Sequence, residues 1–121
     1  MSYKMEIVIR ELPKTSNSIG KASIWHSHNE RKKWRGLMEH AALFQKDPCW
    51  PIKKAILTCT RCSSSEPDVD NLYASFKFVI DGLVYARVIA DDKPSVLDLK
   101  CKWEKAKKGF GYIKLLIEEV L

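Results

Sequence analysis

The hydrophobic residues of this chain recur with two different periods. In MEIVIRE (5–11), Met5, Ile7 and Ile9 alternate with Glu6, Val8 and Arg10, the two-residue period of a strand with one buried face. From about Ser27 to Gln45 the spacing becomes helical. Trp34, Leu37, Met38, Ala41 and Ala42 form one apolar stripe, while Arg31 and Arg35 share another face. The two prolines of DPCWP (47–51) end that helix. KKAILTCTRC (53–62) alternates again and is rich in β-branched residues, which predicts a second strand. After the polar SSSEP (63–67), Leu72, Phe76, Val79, Ile80 and Leu83 return to helical spacing, with Gly82 placed near the stop. VYARVIADDKP (84–94) reads as a linker ending in a turn. Leu97, Leu99, Cys101 and Trp103 then alternate with Asp98, Lys100, Lys102 and Glu104; KAKKGFG turns the chain, and Ile113, Leu115 and Ile117 mark the buried side of a partner strand.

The order β-α-β-α-β-β predicts an α+β fold, a mixed sheet with helices packed on it. Residues 12 to 26, with Pro13, Ser16, Asn17 and Gly20, read as a long irregular connection. At 121 residues the chain suits a single domain over 1–121, and no repeat or low-complexity tract divides it. MSYKMEIVIRELPK lacks the apolar stretch of a signal peptide, and no segment approaches the roughly 20 apolar residues of a membrane span. A cytoplasmic location is therefore expected.

Charge adds a partner class. The formal net charge is +6, with cations clustered at Arg31, Lys32, Lys33 and Arg35 and again from Lys100 to Lys108, including Lys105, Lys107 and Lys108. Such clusters suit a polyanion, most commonly nucleic acid, through phosphate contacts; a solvated surface has the same composition. Cysteine adds less. Cys59 and Cys62 have the spacing of half a zinc site, to which His26 and His28 could supply the other half. Their odd spacing in a strand, however, points them to opposite faces, and no glycine turn lies between them. Ordinary reduced cysteines are the expectation.

Against this basic background, acid is concentrated at EPDVDN (66–71) and at Asp91–Asp92. On an extended chain Asp68 and Asp70 project together, and Asp70 or Asn71 can cap the following helix. Paired carboxylates are stabilised by a cation between them, and Mg²⁺ accepts such ligands while keeping positions for water and phosphate. On a continuous helix Asp70, Lys77 and Asp81 fall within about 20° around the axis, with Lys77 roughly 10.5 Å further along. That combination can serve phosphodiester chemistry, a metal to activate water and an ammonium to meet a phosphate oxygen. A surface turn with a Lys77–Asp81 ion pair gives the same letters. An EF-hand does not, since Leu72 and Tyr73 occupy the positions of an oxygen ligand and of the obligatory glycine.

The whole stretch PDVDNLYASFKFVIDGLVYARVIADDKP resembles the RusA-type Holliday junction resolvases, in the form common among phage-borne members. It carries their Asp-x-Asp-Asn-Leu (Asp68, Asp70, Asn71, Leu72), a lysine followed four residues later by aspartate (Lys77, Asp81), Leu83, and the Asp91–Asp92 pair before a strand. Ser16–Asn17 is similar to that family's asparagine-containing loop. The likeness extends over about residues 5 to 118, and 67 to 94 are its specific part. It implies a homodimeric endodeoxyribonuclease, dependent on Mg²⁺ or on Mn²⁺ in its place, that nicks four-way junctions in recombination and repair. Asp68, Asp70 and Asp92, with Asp91 as the alternative within the pair, carry over as metal ligands and Lys77 as the catalytic lysine. Two departures stand out. Lys77 lies seven residues after the second aspartate instead of four, and ARVIADDKP lacks a glycine before the acidic pair. The alternative is a non-catalytic DNA-binding module of the same fold.

Overall fold

The computed structural model describes residues 3–14 and 24–121, with side chains of the second stretch from Ser27 onward. Its elements are β1 (Lys4–Ile9), α1 (Ile24–Leu43), β2 (Ala55–Ser63), α2 (Val69–Ser75), α3 (Lys77–Tyr85), β3 (Leu97–Lys105) and β4 (Tyr112–Glu119). The α+β order expected from the periodicity is the order found, with the second helix in two pieces. Ser16–Asn17 and the His26 side chain lie outside the described residues.

The strands form one mixed sheet in the order β1-β4-β2-β3. β2 runs parallel to β3 from Ala55↔Leu97 to Ser63↔Lys105 and antiparallel to β4, whose other edge takes β1. The last two strands are thus not partners: residues 106–111 carry the chain past the end of β2, where the Ala106 N–H donates to the Ser63 carbonyl at 2.9 Å. β2 is an interior strand paired on both edges, which is why Thr60 and Cys62, on the face away from the helices, are buried as well as Leu57 and Cys59.

Residues paired across strands share a face, so the register defines the core rows. Ile7, Leu115, Cys59 and Cys101 form one, and Met5, Ile117, Leu57 and Leu99 the next. Trp34, Met38 and Ala42 of α1 and the stripe Leu72, Phe76, Val79, Ile80 and Leu83 cover them, and all eight are buried. One layer of helices therefore lies on one face of one sheet.

The stripe from 72 to 83 is continuous, yet the helix is not. α2 ends at Ser75, whose hydroxyl donates to the Leu72 carbonyl at 2.7 Å and so competes with the helical ladder. Phe76, at φ −89° and ψ 0°, links α2 to α3. Gly82 lies in the last turn, near the helix stop as expected, three residues before the end at Tyr85. It sits inside α3, where a Cβ would come 2.7 Å from Met38 Cγ and 2.8 Å from the Trp34 carbonyl oxygen, so its small size sets how closely α3 approaches α1. Gly82→Val should therefore destabilise the fold by about 1–3 kcal/mol through overpacking, read as a lower urea midpoint at unchanged slope.

The segment read as a linker is pinned. Ile89 pairs in parallel with Ile52, the Ile52 N–H donates to the Val88 carbonyl and the Ala90 N–H to the Ile52 carbonyl, each at 2.9 Å. Among the described residues no helix is long and apolar enough to cross a membrane.

Candidate functional site

The parallel β2–β3 pair fixes where the acidic residues stand. Asp68 follows the C-terminal end of β2 by five residues, and Asp92 precedes the N-terminal end of β3 by five. Eight residue steps at about 3.3 Å separate the two ends, roughly 26 Å. α2 and α3 run back along the sheet between them. The chain therefore brings Asp68 and Asp70 to one end and Asp91 and Asp92 to the other, and a single ion on one chain cannot touch both pairs. Among the described residues no group of three or more His, Cys, Asp or Glu side chains is placed to hold a metal. The four cysteines are free thiols, Cys59 faces Cys101 across the parallel register and Cys62 pairs with Tyr112 on the opposite face, while the His26 side chain of the possible zinc set lies outside the described residues.

Helix α2 starts earlier than the sequence suggested, and Asp68, not Asp70 or Asn71, is its N-cap residue. Asp68 is extended (φ −61°, ψ 155°) and its carbonyl accepts the Leu72 N–H at 2.8 Å, but its carboxylate makes no capping hydrogen bond. Asp70 falls within the first helical turn, where a negative charge is favoured by the helix dipole. The two are therefore not two apart on a strand; one sits before the helix and the other on it. Both are exposed, and neither forms an ion pair among the described residues.

Lys77 is exposed and opens α3, beyond the Phe76 junction, so Asp70 and Lys77 do not share one unbroken helix. Asp81 is engaged elsewhere. The Arg35 guanidinium of α1 grips it with two bonds, Nε to Oδ2 at 2.8 Å and Nη2 to Oδ1 at 3.3 Å, and stacks over the Tyr85 ring at 4.8 Å. At the other end the Asp91 carboxylate accepts the Asp92 N–H at 2.7 Å and lies 3.5 Å from the Lys93 ammonium. These contacts, the backbone bond first, hold its pKa below the usual carboxylate range. Asp91 thus serves its own turn, and Asp92 is the exposed member of the pair.

The expected phosphate-binding cations divide into two groups. Arg35 is tied to Asp81, Lys33 to Glu11 at 2.9 Å, and Arg31 lies 5.4 Å from the Phe78 ring centre. Lys105 donates to the Ser64 carbonyl at 2.7 Å, and Lys107 stands 5.9 Å from the Phe110 ring centre. Lys32 and Lys108 are exposed and make no ion pair among the described residues. Neutralising Lys32 and Lys108 to Gln should make log K for duplex DNA less steep in log salt, by about 0.9 for each phosphate that is no longer neutralised. Arg35→Gln should leave that slope unchanged and lower the thermal midpoint instead, because it breaks the ion pair between α1 and α3.

One cation gave no sign of its role in the pattern of charge. Arg61 lies on the core face of β2, level with Ile113 and Trp103, and is only 8% exposed. Its Nη1 donates to the Pro13 carbonyl at 2.6 Å, and burial lowers its pKa. It lines a cavity of about 360 Å³ together with Leu12, Ser64, Glu66, Asp68 and Asn71. The signal was phase: Leu57, Cys59 and Arg61 are two apart, so the strand that buries the first two must bury the third. The C-terminal end of β2 and β3 thus gathers Asp68, Asp70, Arg61 and Lys105. No family model matches this chain, and no curated protein matches it either.

Proposed function

We propose that this protein is a metal-dependent endodeoxyribonuclease acting on branched DNA as a homodimer, in the manner of the resolvases its sequence resembles. The observation that carries the reading is the pair Asp68 and Asp70, exposed, without an ion pair among the described residues, and set at the same strand end as Arg61 and Lys105. A fold does not require unneutralised acid beside a buried cation, whereas phosphodiester hydrolysis uses both.

The donor chemistry at this end suits Mg²⁺, which takes hard oxygen ligands and is commonly held by one or two carboxylates together with substrate phosphate. When bound it would supply a Lewis acid and an activated water. Asp68 and Asp70 would hold it, Arg61 and Lys105 would face phosphate oxygens, and the exposed cations elsewhere would orient the duplex arms. The three-carboxylate set is not assembled within one chain, and Asp92 would join this end only from a second copy. A two-fold dimer would form two such sites, matching the two opposed strands of a four-way junction.

The separation of Asp92 from Asp68 favours one other reading, a DNA-binding module without chemistry. Purified protein incubated with a labelled four-way junction, with and without Mg²⁺ or Mn²⁺, separates the two. Paired nicks that need metal support the nuclease, while binding without cleavage in either metal leaves the module. Sedimentation at micromolar concentration should show a dimer, at least with junction DNA present. Monomer under both conditions would remove the shared site.

A further inference from the structure

Arg61 is a buried guanidinium that makes no ion pair among the described residues. No carboxylate lies within ion-pair distance of it among the described residues, and residues 1–2 and 15–26, whose side chains are not described, contain neither Asp nor Glu. Among the described residues one protein acceptor is present, the Pro13 carbonyl. An ion of this kind taken out of water is penalised unless it is paired, and a partner arriving from outside would relieve that penalty. The rest of the planar fork belongs to a side chain lining a cavity of about 360 Å³, open to the segment that leads into Asp68. The exposed Lys105 ammonium is fixed on the Ser64 carbonyl of the same segment and adds a second positive charge at its rim. Glu66 and Asp68, which line the same cavity, are the negative groups facing it.

From this geometry we infer that Arg61 is a phosphate-binding residue, whose missing counter-ion is a backbone phosphate diester of nucleic acid seated beside Asp68. Guanidinium suits that ligand because its parallel N–H groups match two oxygens of one phosphate, which an ammonium cannot do. Asp68, which makes no capping bond, then stands next to the bound phosphate, and Arg61 positions the diester against the carboxylates. The inference rests on the nuclease reading for its substrate. Its test is made without metal, so that absence of cleavage and absence of Arg61 binding are separate outcomes.

The experiment measures fluorescence anisotropy of a labelled four-way junction in EDTA across a salt series, for the unaltered protein, Arg61→Gln and Arg61→Lys, with thermal melting of each in parallel. Arg61→Gln should weaken binding at least tenfold and reduce the salt slope by about 0.9. Its melting midpoint should be equal or higher, since an unpaired buried charge is gone. Arg61→Lys should keep the slope and recover only part of the affinity, because it restores charge without the fork. Inorganic phosphate should raise the midpoint of the unaltered protein more than chloride at equal ionic strength, should do so less for Arg61→Lys, and should not do so for Arg61→Gln. Equal affinity and slope in a folded Arg61→Gln protein would overturn the inference. So would a loss of binding that follows loss of folding in both variants while phosphate leaves the unaltered protein's midpoint unmoved. Stabilisation by inorganic phosphate with no change in junction binding between variants would assign the site to a free phosphate and overturn the nucleic-acid assignment. Should the unaltered protein bind through Arg61 yet never cut, the binding inference stands and the nuclease reading falls.

Discussion

Asp70→Asn is expected to slow junction cleavage by at least about 10²-fold, a barrier increase of some 2.7 kcal/mol, while metal-free binding holds or tightens. Asp70 is exposed in the first turn of α2 and forms no ion pair among the described residues, so the amide keeps the shape and removes one charge. Less negative charge then faces the phosphates. Asp68→Asn should behave alike, and Asp91→Asn should matter less, because that carboxylate is engaged by the Asp92 N–H and Lys93. Lys77→Ala should lower the rate without removing the need for metal. The opposite-end placement of Asp92 makes a sharper form possible. In a dimer of one Asp70→Asn and one Asp92→Asn chain, a site shared between copies leaves one site wholly unaltered, and nicking returns in the mixture. If all carboxylates of a site came from one chain, both sites would carry a lesion and the mixture would stay inactive. Asp70→Asn protein that nicks junctions at the unaltered rate would end the nuclease reading.

The second large effect is on stability. Phe76→Ala should destabilise the fold by about 3–5 kcal/mol, seen as a urea midpoint shift by circular dichroism. Phe76 is fully buried and joins α2 to α3, where its ring packs into the shared core. Since domains of this kind are held by about 5–15 kcal/mol, the loss would leave a small margin. Phe76→Leu keeps most of the volume and should lose much less. If Phe76→Ala unfolds at the unaltered midpoint, the α2–α3 junction is not held by this ring.

Much of the fold was legible because amphipathic alternation reports burial directly. Every strand and the apolar stripes of the helices sit where Ile7, Leu57, Leu115, Trp34 and Phe76 placed them. What periodicity does not carry is partnership. Leu99 and Ile113 alternate equally well whether or not their strands touch, so the insertion of β2 between β3 and β4 was invisible. The break after Ser75 was hidden because its hydroxyl acts locally while the apolar stripe runs through. Arg35–Asp81 joins residues 46 apart in sequence, beyond any local pattern. The acidic constellation was legible as composition and not as geometry: a crossover along the sheet moves Asp92 to the far end from Asp68, though only 24 positions separate them. Arg61 escaped notice because charge reads as surface, whereas strand phase places it inside.

The pairing of β1 with β4 has a consequence for how the protein is made. Lys4 through Ile9 find their hydrogen-bond partners at Ile113 through Glu118, nearly the whole length of the described chain away. Synthesis proceeds from the N-terminus at about 5–20 residues per second, so the first strand emerges seconds before the strand that will cover it. During that interval Met5 and Ile7 have no partner strand to bury them, and β2, an interior strand, lacks its β4 neighbour. Closing so long a loop is also slow after release. Until β4 arrives, the nascent chain therefore exposes apolar strand surface and unpaired edges of the kind that promote self-association.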